Sequence, residues 1–202
     1  EIDHARVLSI TKKEIRNWGV CLTGNVLEKI RSGKDGQPDS IIRKILTGRS
    51  DFHWLDEKEE WFWLSNVRKN RLFNQIEKIL TVTKQIDIAN LRQAARRNYR
   101  MKGFAPPRAI LLEYCHQNDD IVVDGQMISF RSGYKPNRVF AETETILLEV
   151  LKANDSVMKR EDFEREALLR GMNRTTFFMY LDNSPIITRF AKGVYGIPGT
   201  IL

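Results

Sequence analysis

Apolar positions along this chain follow two periods, and the change from one to the other recurs three times. Phe52-His53-Trp54-Leu55 with Trp61-Phe62-Trp63-Leu64, Ile121-Val122-Val123 with Met127-Ile128-Ser129-Phe130, and Ile186-Ile187-Thr188-Arg189-Phe190 with Val194-Tyr195-Gly196-Ile197 are pairs of β-forming runs parted by turn residues. Such pairs predict β-hairpins. Their turns fall near Lys58, Gly125 and Lys192, 67 residues apart each time. A period of that length corresponds to one small domain and is too long for one solenoid rung. Asp124-Gly125 is the strongest turn signal and predicts a type I′ pair.

The stretches before each hairpin carry the helical period. In the first, Thr11 followed three residues on by Glu14 has capping-box spacing and predicts a helix start, with Gly19 as its end. Two glycines and a proline in 32–38 predict a loop. Asp39 or Ser40 then caps a helix bearing Arg43 and Lys44 that stops at Gly48. The alternating Phe52, Trp54, Trp61 and Trp63 read as cross-strand packing rather than base stacking. In the second stretch, Leu72, Phe73, Ile76, Ile79 and Leu80 share one helix face. Asp87 caps a helix in which Leu91, Ala94 and Ala95 face inward, while Arg92, Arg96 and Arg100 follow one another at i+4 along one face. Pro106-Pro107 opens a further helix with Arg108 at its start and Ile110, Leu111 and Tyr114 packing. The third stretch predicts helices over 142–153, with Ile146, Leu147, Val150 and Leu151 on a face, and over 161–170, with Phe163, Ala167 and Leu168. Asn173 caps the last, 174–183, which Ser184-Pro185 ends.

Composition fits globular domains: 202 residues, 42% apolar and 29% charged. No apolar run approaches the ~20 residues that cross a bilayer, and the opening residues lack a signal-peptide layout, so a cytoplasmic setting is expected, nucleoid-associated if the source is bacterial. The chain opens on Glu1 instead of Met, which implies a piece of something longer, with further domains or a protein partner outside it. Cys21 and Cys115 lie in different repeats beside apolar neighbours and are expected as buried thiols. The net charge of +7 is concentrated: residues 68–102 hold ten basic and two acidic side chains, whereas 1–67 balances and 103–202 carries 12 basic against 13 acidic. That segment makes a polyanion the expected partner.

Residues 157–197 resemble the recognition helix and wing of bacterial winged-helix DNA-binding proteins. The likeness rests on Asn173-Arg174-Thr175-Thr176-Phe177, Ser184-Pro185-Ile186-Ile187 and Lys192-Gly193-Val194-Tyr195-Gly196. The middle repeat is similar in layout, and the first departs most. The resemblance implies an α+β, mainly helical fold of three consecutive winged-helix domains, 1–67, 68–133 and 134–202, each ending in a hairpin wing. It implies double-stranded DNA binding, with helix N-termini entering the groove.

On this reading Arg92, Arg96, Arg97, Arg100, Lys102 and Arg108 neutralise backbone phosphate, with Arg43 and Lys44 as the first repeat's contribution. Asn173, Arg174, Thr175 and Thr176 reach base edges, and Arg189 and Lys192 decorate the third wing. The role expected is a transcription or genome regulator or the DNA-reading part of a larger protein. Alternatives are a protein-interaction scaffold and the target-recognition module of a modification-dependent restriction or defence enzyme. Chemistry is sparse. Asp39 with Asp56-Glu57-Lys58 has a nuclease-like spacing, but the second carboxylate and the lysine fall in a hairpin turn pointing to solvent. His4, His53 and His116 have no zinc-ligand spacing with the cysteines, and there is no Gly-rich phosphate loop, so neither cofactor, metal nor catalysis is expected.

Overall fold

The two hydrophobic periods translate into a threefold recurrence of element order. The computed structural model describes residues 4–31, 38–136 and 139–201. The first repeat runs α1 (His4–Trp18), β1 (Cys21–Leu22), α2 (Thr23–Arg31), α3 (Asp39–Thr47), β2 (Phe52–Asp56) and β3 (Trp61–Leu64). The second runs α4 (Arg71–Thr83), β4 (Gln85–Asp87), α5 (Ile88–Ala95), a 3-10 turn Tyr99–Met101, α6 (Arg108–His116), β5 (Ile121–Asp124) and β6 (Met127–Phe130). The third runs α7 (Glu142–Lys152), β7 (Val157–Lys159), α8 (Arg160–Leu169), α9 (Arg174–Asn183), β8 (Thr188–Ala191) and β9 (Val194–Gly196). The fold is therefore α+β and about half helical.

Each hairpin acquires a third, antiparallel strand from the segment between the first two helices. The sheets are ordered β1-β3-β2, β4-β6-β5 and β7-β9-β8, so the last strand of each repeat is central. These extra strands have two or three residues, too few for a period of two to register. They have a geometric consequence. Immediately after each, the first residue of the next helix donates its backbone N–H to the hairpin loop: Thr23 to the Glu60 carbonyl (3.1 Å), Ile88 to Gln126 (2.9 Å) and Arg160 to Gly193 (2.8 Å). One bond, repeated three times, fixes the second helix of each repeat against the hairpin tip.

Three local expectations are corrected. Thr11 does not start a helix: α1 begins at least seven residues earlier, and the buried Thr11 hydroxyl donates back to the Val7 carbonyl (2.8 Å), the bond a mid-helix threonine makes. The hairpin loop at Gly125 is Gly125-Gln126, with positive φ at Gly125 (59°) and not at Gln126, the pattern of a type II′ turn instead of I′. Leu168 is exposed while Phe163 and Ala167 of the same helix are buried. The loop expected over 32–38 lies outside the described residues except at Pro38, which precedes α3 without a side-chain cap from Asp39 or Ser40.

Core packing cuts across the repeats. One cluster of buried side chains runs from Val7 to Ile128 and so includes both the first and second repeats. A second, from Leu147 to Ile197, belongs to the third repeat alone. The aromatic hairpin lies in the first cluster: Phe62 is fully buried, Phe52 stacks on it at 4.9 Å, and Trp63 meets Tyr114 of α6 edge-on at 5.0 Å. Gln117 binds this joint by accepting from Trp63 Nε1 and donating to the Trp54 carbonyl, both at 2.8 Å. Cys21 and Cys115 are buried free thiols. Among the described residues no helix is long and apolar enough to cross a membrane.

Candidate nucleic-acid interface

In the third repeat, α9 starts where Asn173 adopts an extended backbone and accepts from Thr176 N–H (2.8 Å), satisfying one of the four unpaired donors of a first turn. Phe177 and Leu181 anchor one face in the core, which leaves Asn173, Arg174 and Thr175 exposed and Thr176 half-buried at the free N-terminus. Arg174 is partnered: its Nε lies 2.7 Å from Glu164 Oε1 of α8, and its guanidinium sits over the Phe178 ring at 5.7 Å. A base contact by Arg174 therefore requires exchange of a carboxylate for a guanine edge.

In the same repeat, the wing and the start of α8 form a cleft of about 510 Å³. Arg189 and Lys192 come from the wing, Lys159 and Arg160 from the β7–α8 junction, and Tyr195 and Glu161 complete the polar lining. The Arg160–Gly193 backbone bond holds the two sides together. Glu161 takes one partner, Arg160, at 3.0 Å, leaving a net cationic cleft at a helix N-terminus, where backbone dipoles add to the positive potential. Lys159 and Arg160 are absent from the sequence-based set. Their signal was two adjacent cations just before the acidic pair Glu161-Asp162, on an extended-to-helix junction too short to show a β period.

The second repeat separates its arginines. The stripe Arg92-Arg96-Arg100 does not form, because α5 ends at Ala95 and Arg100 sits on the 3-10 turn. Arg92 donates to the Pro106 carbonyl (2.7 Å) and more weakly to Ala105 (3.4 Å), bracing the turn into α6. Arg97 donates to the Leu181 carbonyl (2.6 Å) and toward Ser184 (3.3 Å), capping the far end of α9. Burial lowers its pKa from the usual arginine value. Both are half-buried and engaged as structural ties in this structure. Arg96, Arg100, Lys102 and Arg108 remain exposed. Arg100 rests on Tyr99, and Arg108, at the first position of α6, reaches Gln126 Oε1 of the hairpin loop (2.6 Å). Arg108 thus links a helix start to a hairpin tip.

In the first repeat Arg43 is engaged as well. It pairs with both carboxylate oxygens of Glu60, which raises its pKa and ties α3 to the hairpin turn; Lys44 stays exposed. The nuclease-like set is dispersed among other bonds. Asp39 pairs with Arg31, Asp56 Oδ1 accepts from Glu59 N–H within the turn (3.0 Å), and Lys58 is exposed at the tip. Burial pushes the Cys21 and Cys115 thiols up to about 12, with Glu14 adding to the effect at Cys21, so both are protonated and inert near neutrality.

No family model matches the chain, and no curated protein matches it.

Proposed function

We propose that the chain binds double-stranded DNA through winged-helix modules, with α6 and α9 as the groove-entering helices and the second and third hairpins as wings. The order helix, strand, helix, helix, hairpin, with a central last strand, supports that fold assignment in each repeat. The observation that carries the functional reading is in the third repeat. An exposed helix N-terminus bearing Asn173, Arg174 and Thr175 is tied through Arg174–Glu164 to α8, the helix whose start forms a cleft lined by Lys159, Arg160, Arg189 and Lys192. A duplex needs both parts: cations against phosphate to hold it and short polar side chains at base edges to read it. Arg96, Arg100, Lys102 and Arg108 extend the phosphate-binding surface into the second repeat. The role that suits such a chain is regulation of transcription or of the genome, alone or as the reading part of a larger protein.

The test is a mobility shift with random-sequence duplex at low salt. Arg189→Ala/Lys192→Ala and Arg96→Ala/Arg100→Ala should each weaken binding to every sequence and make it less salt-sensitive. Failure of the parent chain to shift duplex or to be retained on heparin would overturn the proposal and favour a protein-interaction scaffold.

A further inference from the structure

On the third helix of the first repeat Arg43 is held by Glu60, which leaves Lys44 as that helix's exposed cation among the sequence-derived candidates. Other cations of the repeat converge elsewhere. Lys12 and Arg16, one turn apart on α1, meet Arg68 and Lys69 of the connector between the first and second repeats around a cleft of about 250 Å³. Asn66 and Val67 complete the lining, so no carboxylate lines it. Among the described residues, no ion pair within 4.0 Å ties Lys12, Arg16 or Lys69 to an acid. Arg68 reaches Asp119 at 3.1 Å, but both side chains are well exposed, a pairing of small energetic weight. Asp51 feels the Lys12 ammonium at a distance, but its carboxylate is held by Arg49 in two bonds of 2.7 and 2.8 Å.

The cleft is preorganised. Val67 is buried and donates to the Leu64 carbonyl (3.0 Å), while Asn70 Nδ2 donates to the Val67 carbonyl (3.0 Å) and to that of Arg68 (3.3 Å), so the connector cannot swing away. On the other wall, the end of α1 is pressed against α4, with Gly19 abutting Leu72. The cleft also adjoins the second repeat's cations. Arg71, two residues past Lys69, donates to the Arg100 carbonyl (3.3 Å), beside exposed Arg100 and Lys102.

From this we infer that the Lys12–Arg16–Arg68–Lys69 cleft is a phosphate-binding site that holds the sugar-phosphate backbone of the duplex beyond the second repeat, making the first repeat an anchor that does not read bases. A fixed concavity with four cations and no acid in its wall suits a phosphodiester. The inference rests on the DNA-binding reading.

Its test uses the full chain and a random duplex long enough to span all three repeats, with binding measured across a salt series. Lys12→Gln/Arg16→Gln should lower the magnitude of the slope of log K against log salt by about one to two, since each lost phosphate contact removes about 0.9. Lys69→Gln should lower it by about one. Arg174→Ala should change sequence preference with no comparable change of slope. As a second readout, inorganic pyrophosphate should shift the backbone amide resonances of 66–69 saturably in the parent and not in Lys12→Gln/Arg16→Gln. Duplex binding with an unchanged slope in both cleft variants overturns this inference and leaves the DNA reading standing. No duplex binding by the parent overturns both, and pyrophosphate shifts would then mark a site for some other phosphate.

Discussion

Arg97 holds two carbonyls at the end of α9, and its neighbour Arg96 holds none. Truncating Arg97 leaves those acceptors without their donor, so Arg97→Ala should destabilise the chain by about 1–3 kcal/mol, read as a lower urea midpoint. Arg96→Ala should stay within about 0.5 kcal/mol of the parent while weakening duplex binding. A charge count treats the two alike, because the carbonyls that capture Arg97 lie more than eighty residues away in sequence. Arg92 and Arg43 are captured from nearer, by the Pro106 and Ala105 carbonyls and by the Glu60 carboxylate, but still from outside their own helices, whereas Asn173 and Asp87 were legible since a cap bonds within its own first turn. Arg174 gives a second residue-level expectation. Glu164 is its competitor, so Glu164→Gln should tighten duplex binding and Arg174→Ala should weaken binding to the preferred sequence by about 1–3 kcal/mol. The thiols supply a pH dependence. Their folded pKa values, about 12, exceed the ordinary 9.0 of the unfolded chain, so the stability they confer is complete below pH 9 and declines as pH rises toward 12. Urea unfolding of Cys21→Ala/Cys115→Ala should lose less stability than the parent between pH 9 and 11.

At the scale of elements, two asparagine caps do unequal work. Asn173 caps α9 at the surface through one bond, and Asn173→Ala should cost about 1 kcal/mol. Asn70 caps α4 while buried, accepting from Phe73 N–H (2.9 Å) and donating to the Val67 carbonyl and the Tyr114 hydroxyl (3.1 Å). Asn70→Ala removes the cap and orphans buried partners, so its unfolding midpoint should fall well below that of Asn173→Ala. Gly19 is as constrained, with φ of +80° and an added Cβ that would meet Leu72 and lie 2.8 Å from Asn70 Oδ1. Gly19→Ala should separate α1 from α4 and exceed the cost of a left-handed alanine alone. Helix faces and hairpins were readable here because their side chains obey a period over many residues, as in Leu72, Phe73, Ile76, Ile79 and Leu80, all buried. β1, β4 and β7 were not, since two or three residues carry no period and their pairing is supplied by a strand some forty residues away.

For the whole molecule, the threefold topology and the twofold core predict different behaviour, and unfolding distinguishes them. The first and second repeats share buried side chains and the Trp63–Gln117 and Asn70–Tyr114 hydrogen bonds. The third meets the second through the bond from Arg97 to the Leu181 carbonyl of α9, a Lys78–Glu144 ion pair with both oxygens at 2.7 Å, and Val82 resting against the third core. A joint made largely of polar bonds yields sooner than one made of continuous apolar packing. Hydrogen exchange should therefore protect α1–β6 as one block and α7–β9 as another, with a lower opening free energy for the second that Arg97→Ala lowers further. Residues 1–136 alone should melt in a single cooperative transition, whereas 68–202, which lacks Trp63 against Tyr114, should lose cooperativity in α4–β6. Under the DNA-binding proposal, the Lys12–Arg16–Arg68–Lys69 cleft of the rigid pair would stay fixed on the backbone while the separately opening third repeat, carrying α9 and its own wing cleft, adjusts to the groove. Under that arrangement Lys78→Met, which breaks the Lys78–Glu144 joint, should lower sequence discrimination more than total affinity for random duplex, a difference measured by competing preferred against random DNA.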